Sequence, residues 1–583
     1  MGNSIINGHW QDWKISFTSN NATQPLQSVF NLPDWVAQFL VNRNLSSLES
    51  SRIFLYPSLN KLPDPGIFPD IENAVEHIRK AILSHHTIAV FGDYDVDGIT
   101  GTTVLTDFLS SLGANVLPVI PNRFKHGYGL NSRIIDQLAS RNVKLIITVD
   151  CGITSVSEVE HASRLGIETI ITDHHQPGTT LPRAISIINP HLVPKDNEDA
   201  NVGQITNLAG VGVAFYLAIA LRKHLRAKGF WTDSTEPNLK KYLDLVALGT
   251  IADQVPITGV NRILCKFGLL ELGESRRPGI RALVEVCKLK NKQISVWDVG
   301  FLLAPRINAA GRMGSEHLAL QLMLSSDYEV AGKLALELDK LNRERQDQEE
   351  QILREATSLL DESSGHWNTA SSIVLAKDDW HRGIIGIVAS RLVERFGKPV
   401  ILLGKNQELW EGSARSVPGL NIFKALSRCD EFLEKYGGHK MAAGLKLLPS
   451  NMVKFRDRFN EVAAEKVPPS GVRRQLMIDA KLNLQDITPL TMKFIEELSP
   501  YGIGNPRPLF LLESFGVKAI KILKEKHLSL QIEQNGKSMR AVGFNMVDDP
   551  DSIPSSFRYL AFYPVYNTWE GNTYIDLRIV DFC

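Results

Sequence analysis

Three short apolar runs, each cut off by an acidic or histidine-bearing motif, constrain this chain more than any other feature. Thr87–Val90 leads into Phe91-Gly-Asp-Tyr-Asp-Val-Asp-Gly98, Leu145–Val149 into Asp150-Cys-Gly152, and Thr169–Thr172 into Asp173-His-His175. Runs this short and β-branched, separated by helical patterns, read as buried strands of a parallel sheet. In such a sheet a ligand sits in the crevice beyond the carboxyl ends of the strands. Asp93, Asp95, Asp97, Asp150, Asp173, His174 and His175 are therefore expected to converge. Carboxylates that close raise one another's pKa, and a bound divalent cation relieves the repulsion. The expected chemistry is metal-centred hydrolysis.

Each motif also has a bland reading. Asp93, Asp95 and Asp97 alternate, so in an extended segment all three project to one side. Gly98 then allows a close turn into a helix over Ile99–Leu112. A lone Asp-x-Asp is often a helix cap or turn; three acids in five residues after a buried strand favour metal binding instead. Asp150 alone reads as a loop cap, and beside the other strand ends as a bridging ligand. Asp253, in Leu248–Pro256, is a weaker candidate from spacing, reading equally as part of the site or not. In an extended segment His174 and His175 point to opposite sides, so one is expected to bind the metal and the other to orient a phosphate or donate a proton. Oxygen ligands with a minority of imidazole suit Mn²⁺ or Mg²⁺, one or two ions, better than Zn²⁺. The substrate side is expected to be anionic. Arg123, Arg306, Asn308 and Arg312 offer groups that match phosphate oxygens, and Arg306 and Arg312 read equally as surface ion pairs. In Gly412–Ser416 and Gly437–Gly444, which hold Arg415, Ser416, Gly438 and His439, small residues allow an anion close to backbone N–H groups.

At 583 residues the chain is too long for one core. Lys plus Arg and Asp plus Glu both number 64, so any nucleic-acid surface must be a local patch. The five cysteines are odd in number and lack CxxC spacing, which argues against a disulfide framework or a zinc site. The N-terminus does not read as a signal peptide, and no run of about 18 apolar residues occurs, so a soluble, cytoplasmic protein without a membrane span is expected. The fold class is α/β. A helical leader is expected over 1–80, a parallel-sheet domain over 81–326, a long connecting helix over 327–365, a second α/β domain over 366–467 and an all-β barrel over 472–583. The last offers aromatics (Phe544, Tyr563, Tyr566, Trp569, Tyr574) and Lys518, Lys521, Lys524 and Lys526 as a single-strand track, with Phe544 assigned to the barrel core. A chain ending near Pro469 is expected to keep the hydrolytic chemistry.

With these residues in view, the chain resembles the DHH phosphoesterase superfamily and, within it, the bacterial RecJ exonucleases. The resemblance rests on Gly92–Gly98, Asp173–His175, Ala247–Asp253 and Pro305–Arg312, on Gly437–Gly444 with Ser413–Ser416 as in the DHH-associated domain, and on Tyr501–Pro506 as at the opening of the RecJ-type OB domain. It implies that Asp95, Asp97, Asp150, His174 and Asp253 bind Mn²⁺ or Mg²⁺, with Asp93 and His175 as ligands or their supports. Some DHH enzymes carry a metal-binding histidine where this chain has Phe91, so a second ion is expected to be held differently or more weakly here. The implied activity is 5′→3′ exonucleolytic release of mononucleotides from single-stranded DNA in repair and recombination, with a single-strand-binding protein and a helicase as partners. A short-oligoribonucleotide, cyclic-dinucleotide or pyrophosphate hydrolase of the same superfamily is expected to lack a domain like residues 472–583. An inactive scaffold is expected to lose metal ligands, and every matched one is present.

Overall fold

The parallel sheet is built where the apolar runs place it. In the computed structural model, which describes residues 3–16, 20–194, 205–231, 236–362, 366–547 and 553–583, five strands lie in the order Asn115–Val119, Thr87–Gly92, Val143–Val149, Glu168–Thr172 and Ser186–Ile188, all parallel. Relative to chain order this is 2-1-3-4-5, so the direction of winding switches between Thr87–Gly92 and Val143–Val149. A ligand crevice belongs at that switch. The central strands are buried on both faces, as continuous Ile/Val/Leu runs require. On one face Ile135, Leu138, Val159 and Ala162 from helices Ser132–Ser140 and Val156–Arg164 pack on Ala89, Phe91, Ile146 and Ile171.

The chain divides into two compact units. One is chiefly Ile15–Asp339 with Met477–Cys583; the other is Lys340–Leu476 with Ile5–Lys14. The long polar pattern forms one 35-residue helix, Tyr328–Glu362, and the division falls inside it. The second unit holds a five-stranded mixed sheet in the order Lys435–Gly438, Ala442–Leu447, Leu409–Arg415, Val400–Asn406, Ile373–Lys377. The C-terminal segment forms a seven-stranded, mainly antiparallel sheet.

The leader departs from expectation. Strands Asn3–Asn7 and Asp12–Ser16 precede helices Asn20–Phe30, Asp34–Asn42 and Leu48–Leu55. The strands escape notice because the hairpin they form is completed by a strand far along the chain, Gln475–Ile478: the Asp12 N–H donates to Arg474 O at 3.0 Å. The leader helices are also not a separate layer. Leu26, Trp35, Phe39 and Phe54 share one buried cluster with Ile495, Phe510, Leu528 and Phe562 of the C-terminal domain, and the Trp35 and Phe510 rings meet edge to face at 5.2 Å. Truncation near Pro469 would strip these helices of the surface they bury against, so such a chain would have to keep its chemistry with the leader helices left bare.

Arg262 fastens the same junction. It is 1% exposed, and its guanidinium donates to Phe54 O at 3.1 Å, Leu498 O at 3.0 Å and Pro500 O at 3.4 Å while lying 3.8 Å from the centre of the Phe54 ring. A charged donor shared by three carbonyls of two distant segments is worth several ordinary hydrogen bonds. Arg262→Ala should lower stability by ~3 kcal/mol, read as a lower urea midpoint of C-terminal-domain fluorescence.

Candidate metal centre

The strand ends deliver their acids to the switch point by three different local devices. Asp93 leaves Thr87–Gly92 and turns back on itself so tightly that a Cβ at Gly98 would lie 2.4 Å from Asp93 O. Asp95 caps the next helix, Val96–Ser111, accepting the Gly98 N–H at 3.1 Å, and Asp97 lies in its first turn. The segment is therefore not extended through Asp97, because the helix begins earlier than the apolar pattern suggests. Capping and facing the site are both true of Asp95. Asp97 sits on a second helix start: it accepts the Gly210 N–H at 2.6 Å and the Val211 N–H at 2.8 Å, at the head of Gly210–Ala227. A side chain at Gly210 would approach Asp97 Oδ2 to 2.9 Å, so only glycine admits this seat. Asp150 holds a left-handed backbone (φ 61°) that ends its strand, with its N–H on Thr172 O at 3.0 Å.

The two histidines also differ from the extended picture. Both rings face Asp150, with centroids 4.5 Å apart. His174 Nε2 lies 3.0 Å from Asp150 Oδ1, 3.6 Å from Asp253 Oδ2 and 3.8 Å from Asp97 Oδ2. His175 Nδ1 is 2.7 Å from Asp173 Oδ1 and 3.2 Å from the Tyr128 hydroxyl. Asp173 is fully engaged, accepting backbone N–H groups of His174, His175 and Ile153 besides the His175 ring. It orients the histidine loop, and Asn189 supports it by donating to His175 O at 2.9 Å. Phe91 is fully buried among the apolar side chains of the sheet face.

What remains is a knot of acceptors facing one another. Asp93 Oδ1, Asp150 Oδ1, His174 Nε2 and Asp253 Oδ2 are buried and make no hydrogen bond. Burial and then the Asp95 charge push Asp97 up to about 7; burial and then Asp97 push Asp253 up to about 9. Asp93 and Asp150 are raised in the same way, by burial and then by neighbouring carboxylates. Burial, then His175, takes His174 down to about 4, which leaves its imidazole neutral and able to ligate. Burial alone would raise Asp173, but its bonds to His175 hold it below the usual range. Two disjoint triads, Asp93–Asp95–Asp150 and Asp97–His174–Asp253, each bring ligand atoms within 4.8 Å of one another. A hard divalent cation fits this oxygen-dominated set.

A cavity of about 260 Å³ opens over the knot, lined by Asp93, Tyr94, Asp95, Arg123, Tyr128, Asp150, His175, Asp253, Asn308, Gly311 and Arg312. Of the expected substrate groups, Arg123, Asn308 and Arg312 line it. Asn122 pins the Arg123 loop by donating to Glu316 at 3.0 Å, and Arg123 stands over the Tyr94 ring at 5.2 Å. Arg306 does not line it: Asp339 takes its guanidinium at 2.8 Å, and Leu302 O accepts from it at 2.6 Å, which is the ion-pair reading of this residue. Tyr128, Gly210 and Asn189 are not singled out by spacing. The only trace of Gly210 is a glycine opening an apolar helical run.

In the second unit, strand pairing joins the other two motifs. Arg415 stands opposite Ala442, the Ser416 N–H donates to Met441 O, and the His439 N–H donates to Ala442 O at 2.8 Å. Gly438 has φ 145°, and a Cβ there would meet Ala442 O at 2.5 Å, so glycine is required. Arg415 donates to Ser413 Oγ at 2.7 Å, whereas the buried Ser416 hydroxyl is turned inward to Leu420 O.

Matches to known proteins divide the chain along the same lines: the DHH family, N-terminal domain, over residues 87–250, the DHHA1 domain over 369–465 and the RecJ OB domain over 478–581. A protein of Escherichia coli (strain K12) named single-stranded-DNA-specific exonuclease RecJ is 40% identical over 525 residues, covering 87% of this chain and 89% of the relative. This chain belongs to the RecJ family. A RecJ of Bacillus subtilis (strain 168) is 36% identical across 98% of this chain and 70% of its own length. The crystal structure of RecJ in complex with Mn²⁺ from Thermus thermophilus superposes with a TM-score of 0.83 at 32% identity, covering 98% of this chain and 79% of that one.

The electrostatics of the knot make a stability test. Asp97 and Asp253 have an ordinary value of 3.8, raised in the fold to about 7 and about 9. Between those values the folded chain keeps protons that the unfolded chain has released, so the metal-free protein loses stability as pH rises through this window. The melting temperature of the chelated protein should fall from about pH 5.5 to about pH 8. Mn²⁺ should restore it at the upper end, by about 3 kcal/mol at roughly a hundred-fold excess over its dissociation constant. A flat pH profile that Mn²⁺ leaves unmoved would contradict this picture.

Proposed function

We propose that this RecJ-family protein is a single-stranded-DNA-specific exonuclease that releases mononucleotides 5′→3′ by metal-assisted phosphodiester hydrolysis, in DNA repair and recombination. The observation that carries the reading is the set of four buried, unpartnered ligand atoms beneath a cavity rimmed by Arg123, Arg312 and Asn308. The names of the relatives support the substrate. The 5′ direction, and a single-strand-binding protein and helicase as partners in the cytoplasm, are what membership of this family suggests.

In this reading Asp93, Asp95 and Asp150 would hold one Mn²⁺ or Mg²⁺, and Asp97, His174 and Asp253 a second. Such an ion supplies Lewis acidity at a phosphoryl oxygen and lowers the pKa of water. The chain's own groups do the rest. Arg123 and Arg312 fix the phosphate through their guanidinium forks, and Asn308, whose Oδ1 accepts the Val96 N–H at 3.2 Å, keeps their rim against the acidic helix. His175, tethered by Asp173 and Tyr128, presents its ring to the same cavity and holds a proton there. Burial opposes that proton, but the Asp173 bond and charge outweigh it and raise the His175 pKa above its ordinary value. It can therefore hydrogen-bond the phosphate or protonate the leaving oxygen. Arg415, Gly438 and His439 are assigned to DNA phosphates in the second unit; Ser416, whose N–H and hydroxyl are already given to Met441 O and Leu420 O, is left out of that set.

Wild-type protein should degrade 5′-labelled single-stranded DNA to labelled mononucleotide at once and 3′-labelled DNA only at the end of the course. Asp150→Ala should cut turnover by more than about 100-fold, and Asp173→Asn, acting through His175, by about 10–100-fold. Early release of the 3′ label would reverse the proposed direction. Near wild-type turnover by Asp150→Ala with added Mn²⁺ would remove the proposed site.

A further inference from the structure

One helical run joins the rim of the metal centre to an exposed aromatic pair. It opens at Val296–Asp298, passes through a π-helical turn at Val299–Leu303 and closes as Ala304–Arg312. Asn308, Gly311 and Arg312 at its far end line the cavity. Near its start Trp297 and Phe301 are 58% and 66% exposed, with ring centroids 5.4 Å apart and planes inclined by 23°. Isolated exposed apolar residues are ordinary. Two large rings stacked on each other and bare to solvent form a flat apolar step, and π turns within helices recur at functional sites.

We propose that Trp297 and Phe301 form a stacking platform for unpaired bases, carrying the single strand between the metal centre and the C-terminal β-domain. This rests on the single-strand reading above and adds to it a place and a chemistry. Three observations support it. The first is reach: at about 1.5 Å per residue, Phe301 lies about 10 Å along the helix from Asn308, a few nucleotides from the reacting phosphate. The second is charge. The Cys287 thiol, 3.6 Å from Leu302 O, sets the turn carrying exposed Lys288 and Lys292 beside the same helix, while Asp298 is engaged in the Ser295 cap. Flat aromatic faces beside cations are what a strand's bases and phosphates require. The third is continuity. The loop Tyr501–Pro506 leads into the C-terminal sheet, and a Cβ at Gly502 would lie 3.8 Å from Val296 Cγ1. In that loop Ile503 is anchored by the Ile257 N–H at 2.7 Å and leaves its side chain 51% exposed, extending the apolar surface toward the β-domain.

The test is equilibrium binding of the full-length protein, in chelating buffer to prevent hydrolysis, to fluorescent oligo-dT of about 20 nucleotides and to an abasic strand of equal length. The Trp297→Ala/Phe301→Ala protein should bind oligo-dT about ten-fold more weakly than wild type. Trp297→Phe/Phe301→Tyr, which keeps the rings, should bind like wild type, and the abasic strand should be held equally by all three. Unchanged oligo-dT affinity in the alanine protein overturns the platform. So does an equal loss on the abasic strand, which would mark a phosphate contact, a surface for a protein partner or a fold defect. Failure of wild type to bind oligo-dT at all overturns the single-strand reading itself and the platform with it.

Discussion

Mutual repulsion among buried carboxylates is the constraint around which the rest of this structure is arranged. Asp93, Asp97 and Asp150 are each less than 5% exposed, and Asp253 is within 4 Å of His174, which also faces Asp97 and Asp150. Left to themselves they would have to take up protons, as their raised pKa values register. The fold tolerates them through backbone donors. The head of Gly210–Ala227 donates two N–H groups to Asp97, the Gly98 N–H engages Asp95, and Asp173 accepts both N–H groups of the loop that aims the histidines together with the Ile153 N–H. These donors leave Asp93 Oδ1, Asp150 Oδ1, His174 Nε2 and Asp253 Oδ2 buried without hydrogen bonds, and those unmet ligand atoms are what a cation would satisfy.

The parallel sheet makes this arrangement simple to assemble. Its 2-1-3-4-5 order parts the crossovers between the strands that end at Asp93 and Asp150, so a crevice exists there before any side chain is chosen. The glycines then close distances that no other residue permits, Gly98 on Asp93, Gly210 on Asp97 and Gly311 on Tyr94 O. Arg123, Arg312 and Asn308 bring guanidinium and amide groups to the rim of the same cavity. The helical run that brings Asn308 and Arg312 to that rim carries Trp297 and Phe301, exposed, near its other end.

Much of this is legible in the sequence because it is local. Apolar runs followed by acids mark both the strands and the site, and the long polar stretch marks the 35-residue helix. What the sequence conceals depends on contacts between distant segments. The extended reading of Asp93–Asp97 misses the helix start at Val96, and that of His174–His175 misses the turn Asp173 imposes by accepting both backbone N–H groups. Arg306 has the motif position of a substrate ligand, yet its partner is Asp339, 33 residues on. Phe544, expected in the barrel core, is 47% exposed, with the Arg578 guanidinium 4.3 Å from its ring centre. Phe544 lies in the turn just after strand Lys537–Gly543, past the alternation that would have carried it inward. Tyr566 and Tyr574 are similarly exposed, while the Trp569 side chain lies outside the described residues. The leader's role in completing the C-terminal core has no sequence signature at all.

The central claim is that these acids are paired by a cation and not by protons, and proton release on metal binding tests it most directly. Asp253 and Asp97, raised to about 9 and about 7, hold protons near neutral pH in the metal-free protein, and a cation must displace them. Calorimetric titration with Mn²⁺ in two buffers of different ionisation enthalpy counts the protons released. The account predicts at least about one proton per protein at about pH 7, fewer as pH rises to about 9, and loss of tight binding in Asp150→Asn. Binding without proton release, at an affinity that Asp150→Asn leaves unchanged, would contradict it.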